Sequence, residues 1–473
     1  MSNYKKTIGI EVHVELKTKE KLFSPSINHY GSLANSNANI IDMGLPGVLP
    51  TLNREAVDLA IRACHVLNCE ITKTMHFDRK NYFYPDNPKN FQITQERTPI
   101  GRNGYVEIDD NGVKKKIEIL EMHIEEDTAK SIHSSHGTLL DFNRAGVPLV
   151  EIVTKPCISS SREAVLYLEK LRELLLYANV SDCKIEEGSM RCDANISISK
   201  DDNLGTKIEI KNIGSITNVG LAIEYDAKRQ EELLESGHLL QEETRRYDGK
   251  TNKTILMRVK ETGNDYRYFP EPDIPYFTLT QEYIENIIKN IPTNANIRRE
   301  KYSKFGISNV NINKIIANKE ISDYLETLGE VNLKTASNLL LGDISAYLNK
   351  KNISIFDTKL TSDKMKDLVL KLDNNVISNK NFKEIVNDVM ESELTISQIL
   401  KNNNIENVVD NDAVNKLIEK VLSDNLNVVN DYLNGNERSL KYLMGQVMKE
   451  SHGTVNPKLA NDLLIKLLNE KNN

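Results

Sequence analysis

The sequence contains no apolar run near the roughly 20 residues that a membrane-spanning helix requires, and Met1-Ser-Asn-Tyr-Lys-Lys6 leads directly into a strand pattern. A cytoplasmic protein without a membrane role is therefore expected. Cysteine is sparse. Cys64, Cys69, Cys157, Cys183 and Cys192 form no C-x-x-C pair, and their odd number and scatter favour reduced thiols over disulfides or a zinc knuckle. With 61 Lys and Arg against 68 Asp and Glu, a net charge of −7 excludes a global basic footprint. Any nucleic-acid contact must rest on local patches and shape. The chain also lacks G-x-x-x-x-G-K-[ST], a G-x-G-x-x-G after a strand, G-x-S-x-G and H-E-x-x-H. If it handles ATP, it does so without a P-loop. No nucleophilic cysteine stands out, because Cys192 falls on the apolar side of its strand.

What is present is a soluble, globular composition, 39% hydrophobic and 27% charged, in 473 residues, enough for two to four domains. Thr7-Ile-Gly-Ile-Glu-Val-His-Val-Glu-Leu-Lys17 alternates with period two. Ile8, Ile10, Val12, Val14 and Leu16 share one face; Gly9, Glu11, His13 and Glu15 share the other. Alone, this describes a half-buried strand with a solvated side. The pattern recurs, however. Lys116–Asp127 places Leu120, Met122 and Ile124 opposite Glu121, His123 and Glu125, and Met190–Ile198 places an apolar set opposite Arg191, Asp193, Asn195 and Ser197. Thr206–Asn212 aligns Lys207, Glu209 and Lys211, and Val147–Val153 embeds Glu151 among apolar residues. A carboxylate such as Glu151 is costly to bury unless a cation satisfies it. Gathered on one sheet, these strands would present carboxylates, imidazole, Lys and Arg, the composition of a site for an anionic substrate and a divalent metal.

Helical spacing appears at Arg54–Leu67 behind a cap at Asn53, at Arg162–Tyr177 with leucines at 166, 168, 171, 174 and 175, and at Ala222–Glu235 before Gly237. Strands interrupted in this way predict an α+β domain on a largely antiparallel, one-sided sheet. Proline and aromatic residues mark ordered loops at Phe23–Ile27, Leu45–Pro50 and Tyr82–Pro88, with Arg79, Lys80, Asn81 and Tyr82 clustered beside the last. From about 293 onward Gly and Pro become scarce and helical periodicity is nearly continuous. The Asn-rich stretch Lys401–Asn411 reads as a linker to a small helical tail, whose last helix carries Leu459, Leu463, Leu464 and Leu467 with Lys458, Lys466 and Lys471 outside the stripe.

Several stretches resemble the B subunit of the tRNA-dependent aspartyl/glutamyl amidotransferases. They are Ile8–Leu16, Lys80–Lys89, Glu125-Glu-Asp127, Asp141–Val153, Glu187–Asn195, Gln241–Arg246 and Asp265–Asp273. The resemblance follows the whole chain in order, on motifs up to about residue 275 and on architecture beyond it. It implies a cradle-like α+β domain over 1–293, an all-α domain over 294–405 and an all-α tail over 406–473 that contacts tRNA. It also implies ATP- and Mg²⁺-dependent phosphorylation of the side-chain carboxylate of Glu or Asp misacylated on tRNA(Gln) or tRNA(Asn). Ammonia would come from a partner amidase, the A subunit, with a small C subunit completing a heterotrimer. Phosphoryl transfer depends on positioning and charge neutralisation. Glu11, His13, Glu125 and Glu151 are the candidate catalytic residues and metal shell, joined by Glu126 and Glu209 as further metal candidates; Lys80, Arg191 and Lys211 are the candidate phosphate contacts. The alternative is a non-catalytic tRNA-binding scaffold in the same complex.

The chain departs from the family in three places. Some members carry two zinc-binding cysteine pairs around Ser24, Ser26, Asn39 and Asp42. None of the four is cysteine here, so no zinc is expected, and the loop should be held by Leu22, Phe23, Ile40, Ile41 and Leu45. Ala129 and Gly214 replace the usual Gly and Asn.

Overall fold

The computed structural model describes residues 3–259, 266–374, 376–403, 405, 411–433, 436, 438–451, 455 and 457–470. Asp265, most of the Asn-rich linker (404 and 406–410), Lys471 and the side chains of Lys458 and Leu459 lie outside the described residues. The chain packs as two units, Met1–Ala295 and Asn296–Asn473.

The first unit is α+β. Its main sheet has nine strands: β1 (Lys5–Glu15), β2 (Glu70–Ile71), β3 (Gly101–Asp110), β4 (Val113–Glu126), β5 (Pro148–Thr154), β6 (Met190–Ser199), β7 (Ile208–Lys211), β8 (Glu243–Asp248) and β9 (Lys253–Val259). Their spatial order is β9-β8-β7-β6-β1-β5-β4-β3-β2, so β1 is central, with β6 and β5 as its neighbours. Every pairing is antiparallel except β7 with β8.

The period-two pattern of β1 is realised in full: Ile8, Ile10, Val12 and Val14 are completely buried. Each contributes roughly 1.5–3 kcal/mol by leaving water. They share one core with α1 (Arg54–Val66), α2 (Ser161–Tyr177) and α3 (Ile216–Glu235), through residues such as Ala60, Leu168, Leu171, Leu175 and Ile223. Asn53, Ser160 and Ser215 cap these helices, accepting from the amides of Glu55, Glu163 and Asn218. α3 begins at Ile216, six residues before the spacing predicts, directly behind the Ser215 cap. It ends as expected: Gly237 has φ +81, the Gly237 amide donates to Leu234 O (3.1 Å), and the His238 amide donates to Leu233 O (3.0 Å).

Leu120 corrects the expected face of β4. Ile117 and Ile119 are buried, Leu120 is exposed, and Met122 and Ile124 are buried again. The register against β5 shifts here, from Glu121↔Val153 to Ile119↔Thr154. A bulge absorbs one residue and reverses which parity faces the core.

The loop after β1 also differs from expectation. Leu22 and Phe23 are buried, but Ile40 and Leu45 are exposed. The loop is tied together by Asp42, which accepts from Ser24 Oγ (2.6 Å), Ser26 Oγ (2.5 Å) and the Asn39 amide (2.9 Å). The fully buried Lys21 Nζ lies 3.3 Å from the same carboxylate. Burial drives the Lys21 pKa down, with Asp42 opposing the shift. Asp42→Asn should therefore cost about 1–3 kcal/mol, a charged acceptor being lost beside a buried ammonium, as measured by urea unfolding. Elemental analysis of the wild-type protein should find no stoichiometric zinc. One zinc per chain would overturn this account of the loop.

Among its described residues the second unit is helical. One hydrophobic cluster joins Val414, Ile418, Leu422, Leu443, Val447, Leu464 and Leu468. The nearly continuous helical periodicity is interrupted at one place, where Leu333–Leu339 and Ser345–Lys351 flank a wide turn in which Gly342 has φ −96 and ψ −113. No described helix is long and apolar enough to cross a membrane.

Candidate functional site

Register brings the polar faces together. One row across the sheet reads Arg191, His13, Glu151, His123; the next reads Asp193, Glu11, Val153, Glu121. Neighbouring strands place such pairs about 4.5–5.5 Å apart at Cβ. Two groups of potential ligand atoms result, each with all its atoms within 4.8 Å of one another: His13–Glu125–Glu151 and Glu11–Asp193–Glu209.

In the first group, His13 Nε2 lies 3.4 Å from Glu125 Oε1 and 3.5 Å from Glu151 Oε2. His123 Nε2 approaches the same Glu151 oxygen to 2.8 Å, and Thr94 Oγ1 lies 3.5 Å from Glu125 Oε2. Burial would lower His13, but Glu151 and Glu125 outweigh it and raise its pKa from 6.5 to about 9. His123 is raised by the same balance, against its burial. Glu125 moves up through burial and the charge of Glu151. Glu151, although also buried, is held well below the carboxylate range by His123 and His13. The two carboxylates thus share a dry site in which positive charge is needed.

In the second group, Asn195 Nδ2 donates to Glu11 Oε1 at 2.7 Å, and Thr244 Oγ1 donates to Glu209 Oε2 at 2.9 Å. Lys211 Nζ stands 2.8 Å from Asp193 and 3.0 Å from Glu209. Despite burial, Asp193 and Glu209 raise its pKa. The Arg191 guanidinium donates to Asp127 Oδ2 at 2.6 Å, and Lys80 Nζ lies 5.0 Å from the centre of the Tyr266 ring. Lys80 also acts on Glu125, its charge opposing the upward shift.

Glu11, His13, Glu125, Glu151 and Glu209, read from the sequence as metal candidates, fall in these two groups. Glu126 does not. It takes the opposite parity to Glu125, pairs with Lys89 and accepts from the Ile93 amide at 2.8 Å. Four polar neighbours were not among the site residues chosen from the sequence: His123, Asp193, Asp127 and Asn195. The signal was available for all of them, since each lies two residues from a chosen residue, or from another such neighbour, along the chain. The donors fit a divalent cation. The Glu11 group is all carboxylate, the hard donor set suited to Mg²⁺, whereas His13 adds an imidazole that also suits softer ions. Two buried atoms there, His123 Nδ1 and Asn195 Oδ1, have no hydrogen-bond partner among the described residues.

Comparison with known proteins identifies the family. Residues 6–285 match the model of the GatB/GatE catalytic domain, and residues 323–468 match that of the GatB domain. The chain is 45% identical to the B subunit of the aspartyl/glutamyl-tRNA(Asn/Gln) amidotransferase of Geobacillus thermodenitrificans, over 99% of this chain and 100% of that one. The corresponding B subunits of Geobacillus kaustophilus and Staphylococcus saprophyticus are also 45% identical, with the same coverage. The strands that build both ligand groups lie within the first matched region, and the chain belongs to the GatB/GatE family.

Proposed function

We propose that this chain is the activating subunit of a glutamine-hydrolysing, tRNA-dependent amidotransferase, and that its polar sheet face phosphorylates the side-chain carboxylate of Glu or Asp misacylated on tRNA(Gln) or tRNA(Asn). The observation that carries this reading is the convergence of two carboxylate groups with Lys211 and Arg191 on one sheet face. The names of its relatives supply the tRNA and the amide transfer.

In the proposed reaction a carboxylate oxygen attacks the γ-phosphorus of ATP, and the bond from that phosphorus to the ADP oxygen breaks. Ammonia then attacks the acyl carbon, phosphate leaves with the former carboxylate oxygen, and a proton is shed to give the amide. His13, Glu125 and Glu151 would hold one Mg²⁺, and Glu11 with Glu209 would hold or orient a second. The ion supplies charge neutralisation for the phosphates. Arg191, Lys211 and Lys80 add fixed positive charge around the transferred group. The cradle has no amidase nucleophile, so ammonia comes from a partner amidase, the A subunit of the complex, tied in by a small C subunit, in the cytoplasm.

Hydroxylamine distinguishes activation from scaffolding. In the assembled complex, with the partner's glutaminase inactivated, hydroxylamine should trap the acyl phosphate as the side-chain hydroxamate of the tRNA-bound Glu or Asp, with ADP released in equal amount. Both products should require ATP, a divalent ion and misacylated tRNA. Absence of hydroxamate and ADP would leave only the scaffold role.

The helical tail from about residue 406 is the proposed tRNA contact, with exposed lysines such as Lys466. Deleting it should raise KM for misacylated tRNA roughly tenfold and flatten its salt dependence, since phosphate contacts are lost. Steady-state kinetics at two salt concentrations would show this. An unchanged KM would make the tail structural.

A further inference from the structure

The stretch Gln241–Arg246 carries part of the family resemblance, yet none of its residues falls in either ligand group. It runs into β8, whose pairing with β7 is the one parallel pairing among the described strands of the main sheet. That register sets Thr244 beside Glu209, and the Thr244 hydroxyl donates to Glu209 Oε2 at 2.9 Å. Both residues are buried. The other oxygen, Oε1, lies 3.0 Å from Lys211 Nζ, which also reaches Asp193 at 2.8 Å.

Thr244 is fixed from behind. Against β9 the register jumps from Thr244↔Arg258 to Arg245↔Leu256, so Met257 is an extra residue without an opposite number. Such a bulge bends its strand and re-aims neighbouring side chains. Arg245, next along β8, takes the other face of the sheet. There its Nε donates to Thr254 Oγ1 (2.9 Å), and its terminal nitrogens donate to Thr254 O (3.0 Å) and Glu243 Oε2 (2.7 Å). The Thr254 hydroxyl donates in turn to Asp226 Oδ1 of α3 at 2.8 Å. Asp226 is completely buried and also accepts from Arg229 and Gln230.

We propose that Thr244 is a positioning residue for the second ligand group, its hydroxyl fixing which oxygen of Glu209 turns toward a bound cation. The proposal rests on the reading of that group as a divalent-ion site. Asn195 offers a parallel, donating to Glu11 Oε1 at 2.7 Å. Two of the three carboxylates thus have one oxygen held by a neutral donor from a neighbouring strand. A neutral donor orients a carboxylate without cancelling the charge that draws a cation, which the Lys211 ammonium does cancel. The network behind Arg245 points the same way. Apolar residues of equal volume hold a sheet edge as well as buried charges do. What the charges add is direction, and the side chain whose direction they fix on the polar face is Thr244.

Thr244→Val keeps the β-branched shape and deletes the hydroxyl, whereas Thr244→Ser keeps the hydroxyl. On the assembled complex, Mn²⁺ alone is the probe, followed by electron paramagnetic resonance. Thr244→Val should bind Mn²⁺ about tenfold or more weakly, as when a partner orienting a metal ligand is removed, and should lower kcat for amidation with KM for misacylated tRNA unchanged. Thr244→Ser should restore both. In a Glu209→Gln background Thr244→Val should add no further loss, since the hydroxyl acts through that carboxylate. A Thr244 that only braces the sheet would lower Tm while Mn²⁺ affinity and kcat stay at the wild-type level, and that result overturns the proposal. A Thr244→Ser variant as impaired as Thr244→Val also overturns it, because packing and not the hydroxyl would then matter. Should Thr244→Val fail to fold, Thr244→Ala takes its place with the same expectation. If Glu209→Gln alone loses no Mn²⁺ relative to the wild type, the reading of the ligand group itself falls, and the proposal with it.

Discussion

Glu125→Ala should reduce amide formation on the order of 100-fold or more, because a lost carboxylate ligand removes several kcal/mol of charge stabilisation at phosphoryl transfer. The geometry makes this residue a more severe loss than its neighbours. Glu125 is almost entirely buried, lies 3.4 Å from His13 Nε2, and shares its site with Glu151. Its removal leaves two imidazoles balanced by one carboxylate, a charge arrangement that repels a divalent ion. The defect should be the same whether the nitrogen source is glutamine or added ammonium, because the lesion lies in activation and not in ammonia supply. Glutaminase activity of the partner should remain largely intact. Measuring amidation with both nitrogen sources, alongside glutamine hydrolysis, separates these steps. Rescue of the Glu125 variant by ammonium would place the defect in ammonia delivery and remove this residue from the activating site.

The site was legible where period-two alternation was unbroken. Glu11 and His13 follow from the pattern of β1, and Asp193 and Glu209 follow by the same rule on their strands. Alternation tells which side of a strand a residue takes but not which strands adjoin. The order that sets Arg191, His13, Glu151 and His123 in one row includes pairings between segments more than a hundred residues apart in sequence, and no local pattern encodes it. The same limit explains Glu126. Adjacent to Glu125 in sequence, it looked like a partner, but one residue along a strand is the opposite face, where Lys89 meets it. Leu120 fails for a related reason: a bulge changes parity without any glycine or proline to announce it. At the Asp42 loop the exposed hydrophobic residues misled. Ser24, Ser26 and Asn39 are short polar residues whose value lies in converging on one carboxylate, which only the folded loop reveals.

Lys211→Met should have two effects of opposite sign. The Lys211 ammonium sits between Asp193 and Glu209, at 2.8 and 3.0 Å, and Glu11 completes the same ligand group. As the built-in counter-ion it competes with any divalent cation for those oxygens. Methionine keeps most of the length and apolar stem but removes the charge, so three carboxylates are left without that neighbour. Divalent-ion affinity in the absence of nucleotide should therefore rise, because the ion no longer displaces an ammonium. Turnover should fall by roughly 100-fold, the scale seen when one preorganised group that stabilises developing charge is removed from an active site. Mn²⁺ binding followed by electron paramagnetic resonance reads the first effect, and single-turnover amidation reads the second. Thermal unfolding with and without Mn²⁺ supplies a further check, since the variant should be destabilised alone and recover when the ion is added. A Lys211 that merely braces the sheet would lower ion affinity and turnover together. Unchanged turnover would show that its positive charge is not used on the phosphates, and the role would pass to Arg191 or Lys80.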